Sequence, residues 1–188
     1  MLTALALIVT SFLDIKFGWP AAIGGVATAL AVLATERASP WPVIRHVSWS
    51  IIPLVAGLFV LVRAIEGTGL IAGVTRELAA LAHQSETLAA MAAGGAIAIV
   101  SNLMNNLPVG LIAASVLNAA HPPLAVTDAA LIGVDLGPNL SITGSLATIL
   151  WLVALRREKI EVGAWPFLKL GVLVTPPALI GALAAAIW

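Results

Sequence analysis

The sequence predicts an all-α polytopic membrane protein, and three observations carry that prediction. First, 61% of the 188 residues are hydrophobic and only 10% are charged, where a soluble domain is about one quarter charged. Second, the apolar runs have helical length, not the roughly ten-residue alternation of a transmembrane barrel. Third, two of those runs are interrupted by clusters of Ser, Asn, Gly and Pro. Nine basic residues balance nine acidic ones, so no basic excess exists to neutralise a nucleic acid. Too little polar residue is present to cover a soluble domain, and the composition is equally unlike that of a disordered chain. The chain has no cysteine, which excludes disulfides, thiolate metal sites and cysteine nucleophiles within it.

A helix needs about 20 residues to cross the roughly 30 Å hydrocarbon layer. Residues 2–13 make a short first helix that starts at Met1. It has no basic leader and no small-residue cleavage site before Asp14 and Lys16, so no processing is expected. Its shortness suggests a chain that begins partway into a larger protein, or a wrongly assigned start. Residues 19–35 and 49–65 make two further spans. Residues 1–65 thus read as three N-terminal transmembrane helices, 66–86 as an outer connecting segment, and 87–188 as the remainder of a single membrane domain. Residues 165–188 form the last span.

Basic residues in short loops orient the chain. Arg37 and Arg45 lie in the 36–48 loop, and Arg156, Arg157 and Lys159 lie in the 156–164 loop. Both loops are expected in the cytoplasm. Segments 14–18, 66–86 and 121–123 then fall outside. The six tryptophans agree with this register. Trp19 and Trp188 fall at the outer boundary, while Trp41, Trp49, Trp151 and Trp165 fall near the inner one, as interfacial belts require.

Residues 88–120 would span about 50 Å as one straight helix, well beyond the bilayer core. The run Ser101-Asn102-Leu103-Met104-Asn105-Asn106-Leu107-Pro108 divides it into two arms of about 20 Å each. A re-entrant hairpin is expected, entering from outside with its polar tip deep in the protein. Pro108 suits an early position of the second arm, where its missing N–H costs nothing. Polar groups at membrane depth need protein or a water-lined cavity around them. Capping of helix ends is the purely structural alternative, but Ser101, Asn102, Asn105 and Asn106 exceed what capping requires.

Residues 125–155 form the second interrupted run, about 46 Å long if helical. Its middle reads Gly133-Val134-Asp135-Leu136-Gly137-Pro138-Asn139-Leu140-Ser141-Ile142-Thr143-Gly144-Ser145. Pro138 deletes a helix hydrogen bond and Gly137 loosens the backbone, so an unwound stretch between two half-helices is expected. Half-helix N-termini favour anions or polar solutes, and unwound carbonyls favour cations or protons. Asn139, Ser141, Thr143 and Ser145 are candidate ligands. A structural proline kink is the alternative. Asp135 is the sharpest single residue, because a carboxylate at membrane depth is costly and usually faces a cavity. It is the candidate proton-coupling group, with a salt bridge to an arginine as its structural alternative.

The other polar residues carry little. His46, His83 and His121 lack metal-ligand spacing, and no phosphate-binding glycine loop is present. No metal and no cofactor are implied. No nucleophile–base pair is visible, so an enzyme is not expected. Gly24-Gly25 and Gly94-Gly95 suit close helix packing.

The run from Ser101 to Pro108 resembles the hairpin signature of the bacterial arsenite/antimonite efflux permeases. Gly133-Val134-Asp135-Leu136-Gly137-Pro138-Asn139, followed by Gly144-Ser145-Leu146-Ala147-Thr148-Ile149-Leu150-Trp151, resembles their second signature. The two occur in order, about 30 residues apart. That family belongs to a wider ion-transporter superfamily that includes divalent-anion/sodium symporters. The resemblance implies two inverted repeats, each with a re-entrant hairpin and a broken transmembrane helix, of which this chain holds one, the C-terminal half. It implies efflux of trivalent arsenic and antimony from the cytoplasm across the inner membrane, driven by protons or assisted by a separate ATPase subunit. Asn102, Asn105 and Asn106 would supply the hairpin half of the site. Asp135, Asn139, Thr143 and Ser145 would supply the other half. The missing N-terminal repeat or a second copy would be the partner. The run Pro138-Asn139-Leu140-Ser141-Ile142-Thr143 departs from the usual family pattern, which has Lys after the Pro and a second Pro before the Gly. Two alternatives stand beside this reading: half of a divalent-anion/sodium symporter, and a truncated membrane fragment that does not transport.

Overall fold

The computed structural model describes residues 18–36, 39–46, 49 and 51–187. The chain divides into two compact units, residues 1–51 and 52–188. All regular structure among the described residues is helical. The expected helix at 2–13 lies outside those residues.

In the first unit, α1 spans Gly18–Glu36. It is apolar all round and exposes Trp19, Ile23, Val26 and Leu30, which suits a surface immersed in lipid. The 36–48 segment, expected as a loop, holds a short helix, α2, at Pro40–His46. Pro40 tolerates the first helical position because its N–H would be unpaired there. The Ser39 hydroxyl accepts from the Trp41 N–H at 3.4 Å. After the helix, Trp49 Nε1 donates to the Ile44 carbonyl at 2.9 Å.

The second unit carries α3 (Ile51–Glu66), α4 (Leu70–Gln84), α5 (Glu86–Met104), α6 (Asn106–Ala120), α7 (Leu124–Leu136), α8 (Leu146–Arg157) and α9 (Ala164–Ile187). Two short 3-10 turns, Gly137–Leu140 and Ile142–Gly144, separate α7 from α8. Segment 66–86 is therefore not an irregular connection. It contains α4, whose Leu70, Val74, Leu78 and Leu81 recur at helical spacing. Arg76, Glu77, His83 and Gln84 dilute its apolar character. α3 and α4 bend by 70° about three residues, where Gly69 takes φ 79°. Ser85 ends α4 and starts α5, accepting from the Leu88 N–H at 3.2 Å, with Glu86 placed favourably in the first turn.

The tightest packing is α5 against α7, and the sequence explains it by small residues. Ala90, Gly94, Ala98 and Ser101 line one face of α5 and are buried, as are Val126, Ala129, Ala130 and Gly133 of α7. A Cβ on Gly94 would sit 2.7 Å from the Ala129 carbonyl oxygen, and one on Gly133 would collide with the Gly94 backbone. Such close approach is how membrane helices gain van der Waals contact without a hydrophobic driving force. Ala89, Ala90, Val126, Ala129 and Leu183 of α9 form the core of this unit. α4 packs on α5 and α6, and α9 packs on α7 and on the turn at Gly137–Leu140. Among the described residues, α1, α5 and α9 are each long and apolar enough to cross a bilayer, and α3 with α4 meets the same measure as a bent pair.

Candidate functional site

The two interruptions meet, and side chains from each satisfy the backbone of the other. The first is a single residue. α5 runs on through Ser101 and Asn102 to Met104, and α6 starts at Asn106. Only Asn105 leaves the helical path, at φ 75° and ψ 148°. That region is almost reserved for glycine and costs on the order of 1–3 kcal/mol elsewhere. The Asn105 side chain offsets part of this. Its Oδ1 accepts from the Leu107 N–H at 3.3 Å, capping α6. Its Nδ2 donates to the Thr143 carbonyl at 3.1 Å.

The second interruption is longer and starts later than Gly133. α7 stays helical through Asp135 to Leu136, and α8 resumes at Leu146. Pro138 ends the α-helical bonding because it lacks an N–H. Gly137 before it keeps helical angles (φ −53°, ψ −47°), and the chain turns on as a 3-10 segment to Leu140 before Ser141 goes extended. Gly137 is needed for another reason: a Cβ there would overlap the Ala98 backbone. Ser145 caps α8, accepting from the Ala147 N–H at 3.2 Å.

Asn102 is the hub. Its Nδ2 donates to the Gly137 carbonyl at 2.7 Å and to the Ala98 carbonyl of its own helix at 2.9 Å. Its Oδ1 accepts from the Ser141 hydroxyl at 2.7 Å. The Thr143 hydroxyl donates to the Asn102 carbonyl at 3.2 Å and lies 3.3 Å from the Ser141 hydroxyl. Asn102, Asn105, Ser141 and Thr143 thus form one network with the Gly137 and Thr143 carbonyls. The N-termini of α6 and α8 begin beside it, and both present unpaired N–H groups and partial positive charge.

The other candidates sit around this network. Ser101 is fully buried and its hydroxyl has no partner among the described residues. Asn106 is half-buried at the start of α6 and makes no side-chain bond to the network. Asn139 is exposed and turns back on α7, donating to the Asp135 and Leu136 carbonyls at 3.0 and 3.1 Å. Asp135 lies two residues before the first 3-10 turn, exposed on the chain surface. No Lys or Arg among the described residues pairs with it. A cavity of about 490 Å³ borders the network between α5, the Gly137–Leu140 turn and α9, with Asn102 and buried Thr175 as its polar lining. Sequence reasoning missed Gly137 and Ala98 as parts of the site. The signal was the small residue at 98, one helical turn before the Asn102 side chain it faces.

Two facing helix breaks, bridged by amide and hydroxyl groups inside a set of bilayer-length apolar helices, define the class: a polytopic α-helical integral membrane protein with a polar centre. The chain matches the family described as arsenical pump membrane protein over residues 2–188, and it belongs to that family. An arsenical pump membrane protein of Escherichia coli K12 is 29% identical over 169 residues, covering 88% of this chain and 39% of that protein. Another from Escherichia coli is 29% identical over 189 residues, covering 96% of this chain and 44% of its own length. A 46 kDa membrane protein of Mycobacterium leprae is 25% identical over 83% of this chain and 38% of its own. The chain therefore spans about two fifths of the length of these relatives. No solved structure matches it.

Proposed function

We propose that the chain supplies one repeat of an inverted-repeat permease that exports trivalent arsenic and antimony, coupled to protons. In this reading α5 and α6 are the arms of the re-entrant hairpin, α7 and α8 the halves of the broken helix, and α4 lies on the outer side. Segment 1–65 is the N-terminal group of spans within one membrane domain. The observation that carries the proposal is the Asn102 network, because it sits where both family signatures fall and joins the two breaks directly.

The chemistry suits an uncharged or weakly anionic solute. Trivalent arsenic in neutral water is largely a neutral hydroxide, which amide and hydroxyl groups can hold without thiolates. Thiolates bind a soft metalloid tightly, and cargo must also leave. Asn105, Asn106, Ser141, Thr143 and Ser145 provide donors and acceptors around the two helix N-termini. Ser101 adds a hydroxyl with bonding capacity still unused, and Asn139 adds an amide on the exposed side. Asp135 carries the proton. Its support is exposure: a carboxylate on the surface of an apolar helix in a bilayer requires polar cover from elsewhere, which the complementary repeat or a second copy would give. A separate ATPase subunit could be an additional partner.

The test is accumulation. Cells lacking arsenite efflux would express the chain alone or with a complementary repeat, and intracellular arsenic would be measured beside uptake of dicarboxylates and sulfate. Reduced arsenic with the repeat present is expected. Unchanged arsenic with altered dicarboxylate or sulfate uptake would replace this reading by a divalent-anion/sodium symporter half. No change in any solute would leave a membrane fragment without transport.

A further inference from the structure

Outside the two breaks, one other side-chain hydrogen bond joins separate helices among the described residues. The Ser115 hydroxyl on α6 donates to Glu66 Oε1 on α3 at 3.0 Å, across 49 positions of sequence. The other carboxylate oxygen, Glu66 Oε2, accepts from Arg63 Nη1 at 2.9 Å. The Glu66 side chain is 27% exposed, whereas that of Arg63 is 85% exposed, so Arg63 sits on the surface and Glu66 in the joint.

The position gives the bond its meaning. Glu66 is the last residue of α3, immediately before the 70° bend into α4. Ser115 lies on the arm that starts at the strained Asn105. Glu66, Thr75, Arg76 and Ser115 line one cleft between these elements, and the Thr75 hydroxyl is buried there without a partner among the described residues. α6 contributes no charged residue to the joint. The charged groups around the Glu66 carboxylate are therefore Arg63 on its own helix and Arg76 on α4.

We propose that Glu66 is a positioning residue for the hairpin arm, a proton-sensitive tie that holds α6 to the bend while ionised and releases it when protonated. An ionised acceptor makes a hydrogen bond roughly twice as strong as a neutral one. Protonation takes that advantage away, and with it the attraction of Arg63. The neighbouring Thr75 hydroxyl supplies no competing bond to hold the arm. Stability of the tie is present at high pH and lost as pH falls, because the charged form makes it. Release at Ser115 acts on the helix whose first residues border the Asn102 network, so proton binding at one end of α6 is communicated to the other. The consequence for transport rests on the permease reading above, but the tie itself does not.

The absence of cysteine makes a direct test possible. Ala64→Cys and Asn118→Cys, both at exposed positions, would take spin labels in the full chain in lipid nanodiscs. Interlabel distances would be read along a series of decreasing pH, from neutral down to the point at which the control pair on α5 and α7 begins to move. One short distance at high pH, giving way to a longer one on acidification, is expected. Glu66→Gln should show the longer distance at every pH. A labelled Met91→Cys and Leu131→Cys pair, on exposed faces of α5 and α7, should stay fixed throughout. If Glu66→Gln also disturbs that pair, Ser115→Ala decides instead, since it removes the tie and no charge. A wild-type distance that ignores pH, or a pH response that survives Glu66→Gln or Ser115→Ala, overturns the proposal. These distances need no substrate, so they can fail while arsenic export stands, and can hold while it falls.

Discussion

The two interruptions solve one problem by opposite means. At Asn105 the helix is broken by one residue in a strained conformation, and that residue's own side chain supplies the cap and a bond to the other break. Between Gly137 and Ser145 the helix is opened over nine residues by a proline, and ordinary short turns fill the gap. The short break contributes side-chain amides; the long one contributes carbonyls at Gly137 and Thr143 and the hydroxyls of Ser141 and Thr143. Each break supplies partners to the other: Asn102 and Asn105 bond the Gly137 and Thr143 carbonyls, and the Ser141 and Thr143 hydroxyls bond Asn102 in return. Local sequence makes each break, but the pair makes both of them affordable.

The comparison can be broken most completely at the contact beneath it. Gly137→Ala would drive a Cβ into the Ala98 backbone, with no flexible atom to yield. We expect a loss of about 3 kcal/mol or more, seen as failure to recover folded protein in detergent. Asp135→Asn tests the opposite case. It should abolish proton-coupled efflux while leaving thermal stability in detergent unchanged, since the side chain is exposed and unpaired among the described residues. Transport with normal pH dependence in that variant would remove Asp135 from the mechanism.

Asn102→Ala removes the hub, with its bond to the Gly137 carbonyl and the acceptor of the Ser141 hydroxyl, which keeps only Thr143 Oγ1 at 3.3 Å. A cost of roughly 1–2 kcal/mol is expected from the lost hydrogen bonds, measured as a fall in melting temperature together with lost transport. Asn105 sharpens the contrast between the breaks. Asn105→Ala should lose about 1 kcal/mol through the cap, whereas Asn105→Gly recovers strain and should be nearly neutral in stability. If Asn105→Gly is as damaging as Asn105→Ala, the strain is not what distinguishes the short break. Asn139→Ala, on the exposed rim, should change stability by less than about 1 kcal/mol.

Composition and run length were enough to read helices near 19–35, 49–65 and 165–187, because apolar runs of that length and pattern fold as helix. Of these, α1 and α9 alone are long and apolar enough to cross a bilayer, and α3 only together with α4. Both breaks were legible from residue type, since Asn, Gly and Pro act locally. What lay beyond local reading was which group bonds to which. Asn105 and Asn106 are indistinguishable in sequence, yet only Asn105 joins the network, as helix phase turns the next side chain elsewhere. Asp135 was read within the unwound stretch but lies two residues ahead of it, in the last turn of α7, because helical angles persist up to and through Gly137. α4 hid in a polar-looking segment whose apolar spacing was diluted by Arg76 and Glu77. The joint at Glu66 and Ser115 depends on a contact between distant positions, which no local pattern announces.

The one-residue break also bears on which length changes the chain can absorb. Inserting or deleting a residue at Asn105 would rotate α6 by about 100° about its axis. Val109, Ala113 and Val116, now buried, would swing away from their partners, and Ser115 would leave Glu66. The nine-residue stretch is held differently, by the bonds of Gly137, Ser141 and Thr143 to the short break rather than by helix phase. Among homologous sequences, length variation should therefore be absent between 104 and 106.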